Sequence, residues 1–114
     1  MSITRHSPGP RMSAAVVHGN TVYLAGQVSG DSDTMKGQTE QVLKKIDGLL
    51  ASVGSSKSKL LSATIYITDM GKFAEMNAVW DGWVSPGNTP ARATVEARLA
   101  APDYKVEIMV VAAK

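Results

Sequence analysis

The sequence predicts a single α+β domain, residues 1–114, in which two helices cover one face of a mixed β-sheet. Two observations carry this prediction. The chain has 114 residues, 44% of them hydrophobic, which suits one core. Segments with strand and helix periodicity follow one another in the order strand, strand, helix, strand, helix, strand, strand, with no linker or internal repeat.

The first two strands are predicted at Ser13–Val17 and Val22–Val28. Gly19-Asn20 lies between these two apolar segments and favours a tight turn, so the strands are expected to form a hairpin. The residues that follow, Ser29–Thr34, are rich in Gly, Asp and Ser and are typical of a loop.

Two segments have the spacing of amphipathic helices. In Met35–Val53 the apolar residues recur every three or four positions, and Gly54 is a stop signal. The second helix is predicted from an N-cap at Asp69 to Trp83. Its apolar stripe, which we expect to be core, comprises Phe73, Met76, Val79, Trp80 and Trp83.

Three further strands are predicted at Leu60–Thr68, Ala91–Leu99 and Tyr104–Ala112. The last two are joined by a short loop, so they are expected to form a hairpin that places Glu107 opposite Glu96, about 13 Å along the strand from Arg92. If both helices cover one face of the sheet, the other face would expose Thr94, Met109 and Val111. A partner subunit is the expected cover for that face.

Composition excludes several classes of function. There is no cysteine, so thiol nucleophiles, disulfides and cysteine-ligated metals are ruled out. The lysines are scattered and aromatic residues are few, which argues against nucleic-acid binding despite the net charge of +2. No segment is apolar enough to be a signal peptide or a membrane span, and we expect a soluble, cytoplasmic protein.

Familiar catalytic motifs are missing. The chain has no GxGxxG, Walker A or HExxH motif, and its two histidines, His6 and His18, stand alone, so no metal site is expected. The residues left are Arg92 on one strand and Glu107 on the next. Small neighbours would let a ligand carboxylate reach the Arg92 guanidinium, although an arginine on such a strand is more usually a solvated or salt-bridged residue.

One stretch of the chain resembles a known family. Pro90–Val95, followed by Val106-Glu107-Ile108, is similar to the signature of the RidA/YjgF/UK114 proteins. Further landmarks are Ala25–Val28, Ile65–Asp69 and Asn77–Trp80, so the resemblance extends from about residue 8 to residue 112.

The resemblance implies a chorismate-mutase-like fold and a homotrimer whose ligand clefts lie between subunits. It also implies cofactor-free hydrolysis of 2-imino or 2-enamino acids to 2-oxo acids and ammonia. Arg92 would bind the substrate carboxylate and Glu107 would orient or deprotonate water. By motif position the site would also include Thr94, Asn77, Arg11, Ala25 and Gly26.

Two positions depart from the family pattern. Ala25 stands where a serine is common, and Arg11 stands where a tyrosine is frequent, which leaves the substrate preference open. Two other functions stay open as well. One is a non-catalytic, ligand-binding or regulatory trimer that uses Arg92, and the other is RNA cleavage.

Overall fold

The computed structural model describes every residue from Met1 to Lys114 and contains a six-stranded sheet with two α-helices. The strands are β1 (Ile3–His6), β2 (Ala15–His18), β3 (Thr21–Leu24), β4 (Leu60–Ile67), β5 (Ala91–Glu96) and β6 (Val106–Ala113); the helices are α1 (Met35–Ser52) and α2 (Phe73–Trp83). The sheet order is β1-β2-β3-β6-β4-β5. Only β4 and β5 are parallel, so the predicted mixed α+β sheet is confirmed.

Both helices pack on one face of the sheet, and the core lies between the two layers. Alternate residues of β4 and β6 face the helices, which is the period-two pattern that predicted these strands. Helix α1 begins where the Thr34 hydroxyl accepts a hydrogen bond from the Gly37 amide, and it ends before Gly54, whose φ is 80°. The predicted span of this helix is therefore right to within one residue.

The opposite face of the sheet has no covering layer within the chain. Met109 and Val95 lie on it with 39% and 41% of their surfaces exposed, and Tyr23 adds another large exposed side chain. We call this surface the open face. Its existence and the positions of Met109 and Val111 were predicted correctly, whereas Thr94 lies on the helix-covered face beside Ile65 of β4.

The predicted hairpin of the last two strands is wrong. Strand β5 pairs only with β4, and β6 lies between β3 and β4, so β4 separates the two strands. The reason is the β4-α2-β5 unit: a helix that joins two parallel strands lets β5 pair beside β4 at the sheet edge.

Smaller differences concern element ends. Strand β1 was not predicted, and the predicted strand Val22–Val28 stops at Leu24. Asp69 caps a 3₁₀ turn, Met70–Lys72, by accepting a hydrogen bond from the Gly71 amide, and α2 follows that turn. Neither helix is long and apolar enough to cross a lipid bilayer.

Candidate functional site

Arg92 lies on edge strand β5 and points to the helix-covered face. Its register partner in β4 is the buried Ala63. The guanidinium carbon lies 5.3 Å from the centroid of the Trp80 ring and 5.9 Å from that of Phe73, both on α2. The chain has one salt bridge, between Lys72 and Glu75, so the Arg92 guanidinium is held by aromatic rings and paired with no carboxylate.

Two buried polar atoms near Arg92 have no hydrogen-bond partner. They are Asn77 Oδ1 and Thr94 Oγ1. Asn77 lies on the same face of α2 as Phe73 and Trp80 because these positions are four and three residues away. Thr94 follows Arg92 by two residues and shares its face of the sheet. Buried polar atoms are nearly always satisfied, so these two exceptions make Asn77 and Thr94 candidate binding residues alongside Arg92.

Glu107 lies on the open face, half-buried, beside Tyr66 of β4. Its carboxylate forms no salt bridge, and no side-chain hydrogen bond involves it. The carboxylate packs against the α-carbon of Gly26, which immediately follows Ala25. These three residues form a second group of candidate site residues, separate from the group around Arg92.

A β-bulge brings Gly26 over Glu107. Tyr23 pairs with Val111, and the next bridge joins Gln27 to Ile108. Gln27 is therefore four residues after Tyr23, whereas Ile108 is only three residues from Val111, and the one extra residue forms the bulge. Gln27 and Ile108 exchange both backbone hydrogen bonds, at 2.9 and 3.1 Å. The Gln27 side-chain amide also donates to the carbonyl of Ala25 at 2.9 Å. The bulge explains why the predicted strand Val22–Val28 is interrupted after Leu24.

The two candidate catalytic residues are far apart within one chain. Arg92 pairs with Ala63 and Glu107 with Tyr66, three residues further along β4. Their α-carbons are therefore separated by roughly 10 Å along the strands and roughly 10 Å across them, or about 14 Å in all. Odd and even positions of β4 face opposite ways, so the two side chains also point from opposite faces. One small substrate cannot contact both within a single subunit.

Neither Arg92 nor Glu107 lies in a main surface cavity of the chain. Five cavities have volumes between about 220 and 740 Å³, and neither Arg92 nor Glu107 lines any of them. The largest lies at the β5–β6 connection and is bordered by Arg98 and Lys105. No group of three or more His, Asp or Glu residues could hold a metal ion.

The predicted site residues thus separate into three places. Arg92 and Thr94 lie on the helix-covered face at the β5 edge, and Asn77 lies on α2 between the two rings that contact Arg92. Glu107, Gly26 and Ala25 lie together on the open face at the bulge. Arg11 is exposed in the β1–β2 loop, near the sheet edge opposite β5, so it does not approach Arg92 of its own chain.

The aromatic support of Arg92 is not predicted by the sequence patterns. Trp80 lies in the core, as expected, whereas Phe73 is 37% exposed. The sequence positions of Phe73, Asn77 and Trp80 do, however, indicate this arrangement on the helix. Asn77 lies four residues after Phe73 and three before Trp80, which places a polar amide between two rings on one helix face.

Comparison with known proteins agrees with this architecture. Residues 4–114 match the family model described as Endoribonuclease L-PSP. The RutC family protein YoaB of Escherichia coli is 46% identical over 114 residues, covering 99% of both chains. A crystal structure of a YjgF family member from Neisseria meningitidis superimposes with a TM-score of 0.98 at 49% identity, covering 100% of this chain and 96% of that one.

The chain belongs to the YjgF/UK114 family. A member of that family from Mycobacterium tuberculosis has the same fold, with a TM-score of 0.90 and 29% identity over 99% of this chain and 100% of the other. The resemblance drawn from the motif around Arg92 is therefore confirmed. Within this fold, Arg92 lies at the β5 edge and Glu107 lies on the open face.

Proposed function

We propose that this protein hydrolyses reactive 2-imino and 2-enamino acids to 2-oxo acids and ammonia at clefts between the subunits of a homotrimer. The observation that carries the proposal is the unpaired Arg92 guanidinium beside two buried, unpartnered oxygen atoms of Asn77 and Thr94. A planar carboxylate matches the guanidinium, and an imine or enamine N–H supplies the donor that an amide or hydroxyl oxygen lacks.

The open face supports the assembly. It exposes apolar side chains that a soluble chain normally covers, and it carries Glu107. Arg92 lies on the neighbouring sheet edge and on the other face. In a closed ring of three chains, the open face of one subunit can meet the β5 edge of the next, which brings Glu107 of one chain to Arg92 of another.

The chemistry needs no cofactor. Arg92 holds the substrate carboxylate, while Glu107 accepts a proton from a water molecule whose oxygen attacks C2 of the imine. The C2–oxygen bond forms as the C2=N double bond becomes single, and the nitrogen takes up the proton from Glu107 to give a carbinolamine. Glu107 then passes the carbinolamine hydroxyl proton to the nitrogen, the C2–nitrogen bond breaks, ammonia leaves, and the carbonyl of the 2-oxo acid remains. An enamine enters the same route after a proton is added to its carbon. Such imines already hydrolyse in water, so positioning and general-base help are sufficient.

The direct test generates the imine in the cuvette with an amino-acid oxidase and follows its disappearance with and without the protein. We expect faster loss of imine and a matching release of ammonia. Glu107→Gln should keep substrate affinity and lower kcat about a hundredfold, because the amide retains the shape and loses the basicity. An unchanged kcat in that variant would contradict the role of Glu107.

The same preparation separates the alternatives. Tight binding of imino or oxo acids without turnover would indicate a ligand-binding trimer. Cleavage of RNA with strong dependence on salt and no dependence on Arg92 would instead support the activity that the family description names.

A further inference from the structure

The absence of a side chain at Gly26 leaves room for the Glu107 carboxylate. If an alanine-like Cβ is placed on its backbone, the three nearest heavy atoms all belong to the Glu107 side chain. The Cβ would overlap Oε2 and would lie 3.0 Å from Cδ and 3.2 Å from Cγ. Carbon atoms do not approach so closely, so any side chain at position 26 would displace the carboxylate.

The backbone at Gly26 does not itself require glycine. The glycines with positive φ are Gly19, Gly54 and Gly87, and Gly26 is not among them. A residue with a side chain could adopt its conformation. The Glu107 carboxylate is therefore the obstacle to a side chain at this position.

The bulge fixes where this contact occurs. The extra residue between Tyr23 and Gln27 moves Gly26 over β6, and the paired hydrogen bonds between Gln27 and Ile108 anchor the segment next to Glu107. Bulges are common beside active sites, where they change the direction of a side chain. A glycine held rigidly at this point restricts the rotamers that the Glu107 side chain can adopt.

We propose that Gly26 is a positioning residue whose missing side chain forms the seat of the Glu107 carboxylate. This inference rests on the proposed function, in which Glu107 activates water. With one side of the carboxylate against Gly26, water can approach the carboxylate only from the sides that the backbone leaves open. Gly26 then acts on the rate of the water attack and leaves substrate binding at Arg92 unaffected.

The first experiment compares Gly26→Ala with wild type in the imine assay. We expect kcat to fall tenfold to a hundredfold, because a shift of about 1 Å in a catalytic group has an effect of this size, while KM stays within about twofold. Gly48→Ala is the matched control. It adds the same methyl group on α1, where no heavy atom lies within 4 Å, and should leave both constants unchanged.

The second experiment uses thermal stability and needs no activity. Gly26→Ala should lower Tm by a few degrees at most at a fixed protein concentration, because the atoms it overlaps are the end of the flexible Glu107 side chain, which can rotate away. The loss should persist in the Glu107→Gln background, where the side chain keeps its shape. It should largely disappear in the Glu107→Ala background, where the overlapping atoms are gone.

Two results would overturn the proposed role of Gly26. Gly26→Ala with wild-type kcat and Tm would overturn the proposal, and so would a Tm loss that is equally large in the Glu107→Ala background. If the wild-type protein hydrolyses no imine, the proposed function fails, and the pattern of Tm values still decides whether Gly26 seats the carboxylate.

Discussion

Arg92 and Glu107 lie in one sheet, with strand β4 between them, and their side chains point from opposite faces. Each is free of an ion pair. Each also has its own support: aromatic rings of α2 beneath the guanidinium, and the α-carbon of Gly26 beneath the carboxylate. On the proposed mechanism, a complete site therefore needs two chains, and this requirement can be measured.

Mixing two inactive variants tests the shared site. We expect Arg92→Ala and Glu107→Ala to be inactive separately and to recover up to about one quarter of wild-type activity after co-refolding at equal amounts. The reason is that one in four random interfaces then combines an intact Arg92 with an intact Glu107. Activity that stays at the level of the separate variants would place both groups within one chain.

The assembly itself should be a trimer. Light scattering is expected to give three times the 12.0 kDa mass of one chain. Met109→Glu places a charge on the apolar open face, and we expect it to shift the protein to monomers. Lys44→Glu, on the exposed surface of α1, serves as the charge control and should remain trimeric. A wild-type monomer at micromolar concentration would contradict the intersubunit site.

Replacing Arg92 by lysine should weaken substrate binding and turnover. An ammonium group cannot form the two parallel hydrogen bonds of a guanidinium with a carboxylate. Loss of one charge-assisted hydrogen bond, about 1.5–3 kcal/mol, corresponds to a decrease in kcat/KM of roughly 10- to 150-fold. Steady-state kinetics with one imine measures this decrease in kcat/KM. A wild-type kcat/KM in Arg92→Lys would contradict the proposal that Arg92 binds the substrate carboxylate.

The aromatic support of Arg92 should affect KM. Trp80→Met removes the ring 5.3 Å from the guanidinium, and we expect KM to rise about tenfold, whereas Trp80→Phe should retain most of the affinity. Trp83→Met is the control, because Trp83 packs against Trp80 and is not among the rings that contact Arg92. Equal KM values in the two methionine variants would show that only packing is lost.

Arg11 is expected to influence which imines the protein prefers as substrates. It is exposed in the β1–β2 loop and lies away from Arg92 of its own chain, so any effect of Arg11 on the site requires the site to be shared between chains. A second cation there would favour imines with an additional carboxylate. We expect Arg11→Tyr to shift relative kcat/KM toward apolar imines by roughly tenfold, or about 1.4 kcal/mol. An unchanged ratio would assign Arg11 to the solvent-exposed surface.

The sequence by itself determined the α+β class, the span of α1, the alternation of β4 and β6, and the presence of an uncovered face with Met109 and Val111. These features follow from local periodicity and from capping residues such as Thr34, which act within a few positions of the chain. The family motif around Arg92 also lies in one continuous stretch, so it could be recognised without a structure.

Only the tertiary structure decided which strands are neighbours. Pairing of β4 with both β5 and β6 depends on hydrogen bonds between segments far apart in sequence, and a short connecting loop suggested the wrong hairpin. Strand pairing also assigned Thr94 to the helix-covered face, since an edge strand with polar residues on alternate positions has no local signal for its buried side. The bulge at Gly26 and the ring contacts of Arg92 arise in the same way, from residues brought together by folding.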